Sequence, residues 1–295
     1  MKVGFISIVG RPNSGKSTLI NSIVGEKVAI VSDVAGTTRN NVQGIYNDDN
    51  SQIIFIDTPG IHKPKHKLGK YMNKEAYYTL DDTDVVLFMV DVTSKIGKGD
   101  MFILDKLKEY NLNVFLVLNK VDKIKKEELF PMIDEYNKLF NFKEIIPISA
   151  LKKDNIADLL NTIKKYLNEG EKYYSDDYYT DRSLNFMISE LVREKVLRLT
   201  HEEVPHAVTC IVENFEEKKD SIYINVLIIV EREGIKKILV GHNGSMIKQI
   251  GTNARSDIEK LVNKKVYLEL FVKVVDNWRE KDKYLTEFGF NEFEE

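Results

Sequence analysis

The sequence predicts an α/β unit with a mixed, mostly parallel sheet flanked by helices, followed by a smaller α+β unit, and three observations point there. Short apolar runs at 5–9, 53–56, 85–90, 114–118 and 145–148 alternate with longer amphipathic stretches, the pattern of strands joined by crossover helices. These runs are apolar on both faces, as strands covered by helices on each side must be. Beyond residue 168 the pattern changes: an acidic, tyrosine-rich stretch gives way to one helical period and three strand-like runs. The divisions read from this are a first domain over 1–168, a linker over 169–182, a second domain over 183–275 and a C-terminal tail or helix over 276–295.

Composition bounds the function classes. The 295 residues are 43% hydrophobic and 30% charged with a net charge of −3, an ordinary globular balance that excludes a globally basic nucleic-acid coat. Cys210 is the one cysteine, which excludes an internal disulfide and a cysteine-based zinc site and suits a reducing compartment. Residues 1–9 are apolar but too short for a signal-peptide core, and no stretch reaches the roughly 18 apolar residues of a membrane span.

The first strand runs into Gly10-Arg11-Pro12-Asn13-Ser14-Gly15-Lys16-Ser17-Thr18, the G-x-x-x-x-G-K-[ST] phosphate loop in its required context of a strand before and a helix after. Glycines let backbone N–H groups turn toward phosphate oxygens, Lys16 neutralises the β and γ phosphates, and the Ser17 hydroxyl suits magnesium. The strand at 53–56 ends on Asp57-Thr58-Pro59-Gly60. Asp57 is placed to hold magnesium through water, and the Gly60 N–H to meet a γ-phosphate. Such a tetrapeptide is common in turns, and its weight here comes from its position.

After the strand at 114–118 comes Asn119-Lys120-Val121-Asp122. The Asp122 carboxylate can accept from guanine N1–H and N2 together, whereas adenine offers neither donor there. Ser149-Ala150-Leu151 follows the next strand and supplies a loop whose backbone N–H suits guanine O6. Four motifs in this order, with Thr37-Thr38-Arg39 between the first two, resemble the P-loop GTPase superfamily. That resemblance implies Lys16, Thr37, Thr38, Asp57 and Gly60 around the γ-phosphate, with Ser17, Thr38 and Asp57 as the magnesium set. Two adjacent threonines leave open which one ligates the metal.

Two features refine this expectation. Ile61 stands where Ras-type GTPases place a water-orienting glutamine, so slow unassisted hydrolysis is expected. His62 and His66 lie close by among lysines and suit a solvated basic loop better than catalysis. Asn13 resembles the potassium ligand of a subset of GTPases, and serves equally as a turn residue of the phosphate loop.

In the second domain, helical periodicity over 184–199 precedes strand-like runs at 207–215, 222–230 and 266–274. Gly241-His242-Asn243-Gly244, with Lys248 just beyond, sits between helix-compatible segments, as the Gly-x-x-Gly of KH domains does when it clamps a nucleic-acid backbone. From Gly234 to Val274 eight Lys and Arg face three Asp and Glu, a local positive charge suited to phosphate. The element order resembles the type II KH domain.

A GTPase domain joined to this KH type resembles the Era family over nearly the whole chain. Particular likenesses are Thr37-Thr38-Arg39, Glu203-Val-Pro-His206, Val240-Gly-His-Asn-Gly-Ser-Met-Ile247 and Trp278-Arg279 before Glu287-Phe-Gly-Phe290. The resemblance implies GTP and GDP as ligands with Mg2+, and K+ if Asn13 holds it. It also implies a partner in the small ribosomal subunit, the KH domain holding the 3′ end of its ribosomal RNA during assembly. A monomer in the cytoplasm is implied, with peripheral contact at the cytoplasmic face of the inner membrane. Two alternatives stand beside it: a non-enzymatic GTP-sensing RNA-binding adaptor, and a GTPase of transfer-RNA modification, which would need a partner or domain not seen here.

Overall fold

The computed structural model describes residues 1–290 apart from His62 and Lys65. Two units emerge: Met1–Ala29 with Thr38–Lys63 and Met72–Asp181, and Ile30–Thr37 with Pro64–Tyr71 and Arg182 onward.

In the first unit, β1 (Lys2–Val9), β2 (Val42–Asp48), β3 (Ser51–Asp57), β4 (Val85–Asp91), β5 (Val114–Asn119), β6 (Glu144–Ile148) and the short β7 (Asn168–Glu169) form one sheet. Its order is β2-β3-β1-β4-β5-β6, with β7 on the start of β1. β2 runs antiparallel to β3 and the other main neighbours are parallel, so the sheet is mixed and mostly parallel. The helices are α1 (Lys16–Val24), α2 (Lys67–Tyr78), of which the part from Met72 on belongs to this unit, α3 (Lys98–Leu107), α4 (Leu129–Leu139) and α5 (Ile156–Lys164).

The two-faced burial expected of the apolar runs is realised residue by residue along β4. Val85, Leu87 and Met89 pack with Leu19 and Ile20 of α1 and Leu159 and Ile163 of α5. Val86, Phe88 and Val90 pack with Ala76 of α2, Ile103 and Leu104 of α3 and Tyr136 of α4. Side chains that alternate across a strand meet an apolar helix face on either side.

The tyrosine-rich stretch that follows is tied to this unit by polar contacts. Gln52 accepts from the backbone N–H groups of Tyr173 and Tyr174 through Oε1 at 2.8 and 3.0 Å. Gly44 forms an isolated antiparallel bridge with Thr180.

The second unit contains α6 (Leu184–Leu199), β8 (Thr209–Glu217), β9 (Ser221–Val230), α7 (Glu233–Val240), α8 (Ser245–Val262), β10 (Lys265–Val274) and α9 (Asp282–Glu287). Ser183 caps α6, its hydroxyl accepting from the Phe186 N–H. The sheet order is β10-β9-β8, parallel between β9 and β10 and antiparallel between β8 and β9. Ile222, Ile224, Val226 and Ile228 on alternate positions of β9 join Ile188 and Val192 of α6 and Ile250, Ala254 and Ile258 of α8 in one core. A four-residue spacing on α8 keeps those three on one helix face. Trp278 is fully buried behind this fold, its indole N–H donating to Ala207 O at 3.1 Å. Phe288 meets it edge-on and Phe290 stacks on it, at 5.7 and 6.0 Å between centroids.

Candidate functional site

Each of the four nucleotide motifs follows the carboxyl end of a strand, the edge at which open α/β sheets take their ligands. Gly15 has φ 101° and opens α1. A methyl group there would meet Asn119 Nδ2 at 2.2 Å and one on Gly10 would meet Met89 O at 2.3 Å, so close approach requires both glycines, and at Gly15 the left-handed conformation does so as well.

Lys16 is buried, its Nζ donating to Gly10 O at 3.2 Å and Arg11 O at 3.1 Å. Desolvation lowers its pKa to about 8, partly opposed by Asp57. Burial likewise raises Asp57, against the pull of Lys16 and hydrogen bonds from Ser17 and Thr38.

Ser17, Thr38 and Asp57 converge. Ser17 Oγ donates to Asp57 Oδ2 at 2.5 Å, Thr38 Oγ1 donates to the same oxygen at 3.1 Å, and the two hydroxyls lie 3.0 Å apart. Asp57 Oδ1 is buried and, among the described residues, without a hydrogen-bond partner. Two hydroxyls, a carboxylate and a spare carboxylate oxygen are hard oxygen donors of the kind magnesium takes while keeping several of its waters. The donor set therefore fits the ion. Thr37 turns elsewhere: its hydroxyl donates to Val34 O at 2.6 Å and lies 2.6 Å from Ser32 Oγ. The direction of the two side chains favours Thr38.

Gly60 approaches the phosphate loop closely, since a Cβ on it would meet Pro12 at 2.9 Å. Ile61 is 2% exposed and packs in the core with Val9 and Ala76. That position contributes a wall, with no group to orient water. His62 lies outside the described residues.

At the guanine-reading end, Asn119 Nδ2 donates to Ser14 O at 2.8 Å and its Oδ1 accepts from the Ala150 N–H at 3.0 Å. This one buried amide ties the phosphate loop to the loop after β6. Within Ser149-Ala150-Leu151, the loop expected to offer a backbone N–H to guanine O6, the Ala150 N–H is used by Asn119 in this arrangement. Asp122 Oδ1 accepts from Ser149 Oγ at 2.6 Å, which aims the carboxylate. Lys120, at φ 69°, reaches Asp91 Oδ2 at 2.5 Å and Asn13 O at 2.9 Å. Burial works against the Asp91 carboxylate, and hydrogen bonds from Lys120 and Thr93 overcome it, holding its pKa low. Leu151 is 71% exposed beside this loop. The Ser149–Asp122 and Lys120–Asp91 pairings escaped the sequence reading, because strand-end positions reveal neighbours only once strand order is known.

In the second unit the Gly-x-x-Gly lies between α7 and α8. Gly241 has φ 72° and Gly244 φ 77°, with Asn243 at φ 50°. A Cβ on Gly241 would meet Met246 N at 2.8 Å. His242, Asn243 and Lys248 are exposed. The loop thus presents small, bare backbone at the N-terminus of an 18-residue helix, where N–H groups and the helix dipole favour a phosphate.

The family model described as a 50S ribosome-binding GTPase matches residues 5–120, and the KH domain model matches 203–279. A crystal structure of a point variant of Aquifex aeolicus Era bound to GDP and AlF4− is 43% identical, with TM-score 0.95 over 98% of this chain and 99% of that one. The chain belongs to the Era family. A second Era structure, in complex with MgGDPNP and nucleotides 1506–1542 of 16S ribosomal RNA, is 44% identical with TM-score 0.96 over the same shares. The likeness runs over 98% of the chain and places a P-loop GTPase fold and a KH fold in it.

Proposed function

We infer that this Era-family chain is a GTPase whose KH unit binds the 3′ end of the small-subunit ribosomal RNA and which assists assembly of that subunit. The observation that carries the reading is likeness over 98% of the chain to an Era held with MgGDPNP and 16S RNA. The convergence of Ser17, Thr38 and Asp57 supports the nucleotide half of it.

In this reading the backbone of Gly10 to Thr18 and the Lys16 ammonium hold the β and γ phosphates. The Asp57-Thr58-Pro59-Gly60 turn borders the nucleotide, Gly60 meeting the γ-phosphate through its N–H, while the Thr58 hydroxyl secures the turn by donating to Ile8 O at 2.6 Å. Asn119, Lys120, Asp122, Ser149, Ala150 and Leu151 surround the base. Ser17, Thr38 and Asp57 would hold the magnesium, which when bound would supply positive charge against the phosphates. Asp57 would hold the ion through water, and the Thr38 hydroxyl, already beside Ser17 and Asp57, would complete the set. The buried Ile61 offers no side-chain amide to orient attacking water, which is left to backbone, a distant residue or a partner, so unassisted turnover is slow.

On the RNA side Gly241 to Gly244 pass close to the strand and Lys248 meets phosphate. The chain acts in this reading as a cytoplasmic monomer with peripheral contact at the inner membrane; cosedimentation with anionic vesicles tests that contact. The buried Ile61 also favours the adaptor reading, in which GTP is sensed without turnover. Multiple-turnover phosphate release, with and without small subunits, decides between them. Release stimulated by the subunit is expected, and its complete absence in both would leave the adaptor.

A further inference from the structure

The second unit takes in a stretch from early in the chain. Residues Ile30–Thr37 belong with α6 and the KH sheet, and α6 is unusual in burying charge: Arg193, Glu194 and Lys195 are at most 6% exposed. Those charges are matched to the early stretch. Arg193 Nη2 donates to Thr37 O, and the same guanidinium is gripped by Glu190 through Nε at 2.7 Å and Nη2 at 2.6 Å. Glu194 Oε1 accepts from the Val31 N–H at 3.1 Å, and Arg198 Nη2 donates to Val31 O at 3.0 Å and to Glu194 at 3.1 Å. Lys195 completes the set, bonding Glu194 at 2.8 Å and pairing with Asp257 of α8.

A buried ion cluster of this kind gains little for stability over an apolar packing. What it supplies is geometry: both ends of an eight-residue stretch are gripped through backbone atoms, so the grip is insensitive to the side chains of that stretch. The next residue along the chain is Thr38, whose hydroxyl completes the oxygen set with Ser17 and Asp57.

We propose that Arg193 and Arg198 are positioning residues for the GTP state, holding Thr37 and Val31 so that Thr38 is delivered to the magnesium when a γ-phosphate is present. Both residues sit in the helix that opens the KH unit, so the element that frames RNA binding also sets the discrimination between GTP and GDP. The inference rests on the GTP-switch reading above and deepens it.

The test measures affinity for a β,γ-imido GTP analogue and for GDP, with kcat and KM for GTP, in the full chain and in Arg193→Met, Arg193→Lys and Arg198→Ala. Methionine keeps the length of the arginine stem without the donors, and Arg198 is half exposed, so its truncation spares the core. The analogue should bind about tenfold more weakly in Arg193→Met, the size of one or two lost hydrogen bonds, with GDP affinity changed less than twofold. Arg198→Ala should show the same selective loss at smaller amplitude, and Arg193→Lys should recover part of it.

Equal weakening of both nucleotides, or none, in a variant that melts as cooperatively as the parent would overturn the proposal. If Arg193→Met does not fold, Arg198→Ala decides. Absence of GDP binding in the unaltered chain would instead remove the GTP-switch reading itself.

Discussion

Single residues carry the chemistry, and Lys16 illustrates how burial makes one of them pH-sensitive. With its pKa lowered to about 8, Lys16 is charged below that pH and neutral above it in the free protein, while bound phosphates favour the charged form. Nucleotide affinity should therefore be level below pH 8 and fall by up to about tenfold per unit above it, with proton uptake on binding. Calorimetry at pH 8.5 or so in two buffers of different ionisation enthalpy reads that uptake; identical heats would show that Lys16 is already charged. Asp122→Asn should move preference from GTP to xanthosine triphosphate by roughly 10- to 100-fold, since xanthine presents a carbonyl where guanine presents its amino group. Unchanged guanine affinity would remove Asp122 from the base site. Replacing potassium with sodium at constant ionic strength should slow hydrolysis several-fold if the Asn13 side chain ligates potassium, and equal rates return it to a turn residue at φ 64°. Motif residues such as Ser17 and Asp57 were legible in sequence because the chemistry admits few alternatives at a fixed spacing. The choice between Thr37 and Thr38 was not, since adjacent side chains differ only in the direction the backbone gives them.

At the scale of elements, the phosphate loop and the Gly-x-x-Gly use the same device, bare backbone leading into a helix, and both break in a defined way. Gly15→Ala combines a left-handed backbone, a penalty of roughly 1–2 kcal/mol for an L-residue, with a clash against Asn119. It should lose nucleotide binding and lower the melting temperature together. His242→Asp with Asn243→Asp adds two negative charges where phosphate is to pass, and should weaken RNA binding by on the order of tenfold while GTP affinity stays put. Anisotropy of a labelled strand from the 3′ end of the small-subunit RNA measures it, and full affinity in a cooperatively melting variant would leave the KH unit without its RNA role. The sequence located α6 at its observed limits and β9 and β10 within a residue, because their apolar periods are long and clean. It left out β2, where Gly44 and the polar Asn47 and Asp48 dilute the alternation; β2 exists because β3 offers it a partner one tight turn away.

For the whole molecule, the readable quantity is coupling between nucleotide and RNA. A saturating RNA strand should raise affinity for the imido analogue several-fold, and the analogue should raise RNA affinity by the same factor, as linkage requires. Affinities independent of each other would mean two binding modules that merely share a chain. This level was the least legible in sequence: charged residues on a helix are ordinarily solvated, and nothing local in Arg193 or Glu194 marks them as buried against a stretch more than 150 residues away.

Trp278 gives this chain a built-in optical reporter. It is the one tryptophan among the 295 residues, and it is fully buried against Phe288 and Phe290. Its emission should be blue-shifted in the native protein and should red-shift only when the surroundings of the KH sheet open. Circular dichroism, dominated by all the helices, follows both units at once. A denaturant titration in which the fluorescence transition separates from the dichroism transition would then assign the order of unfolding without a label, and GTP added to that titration would displace the dichroism curve first.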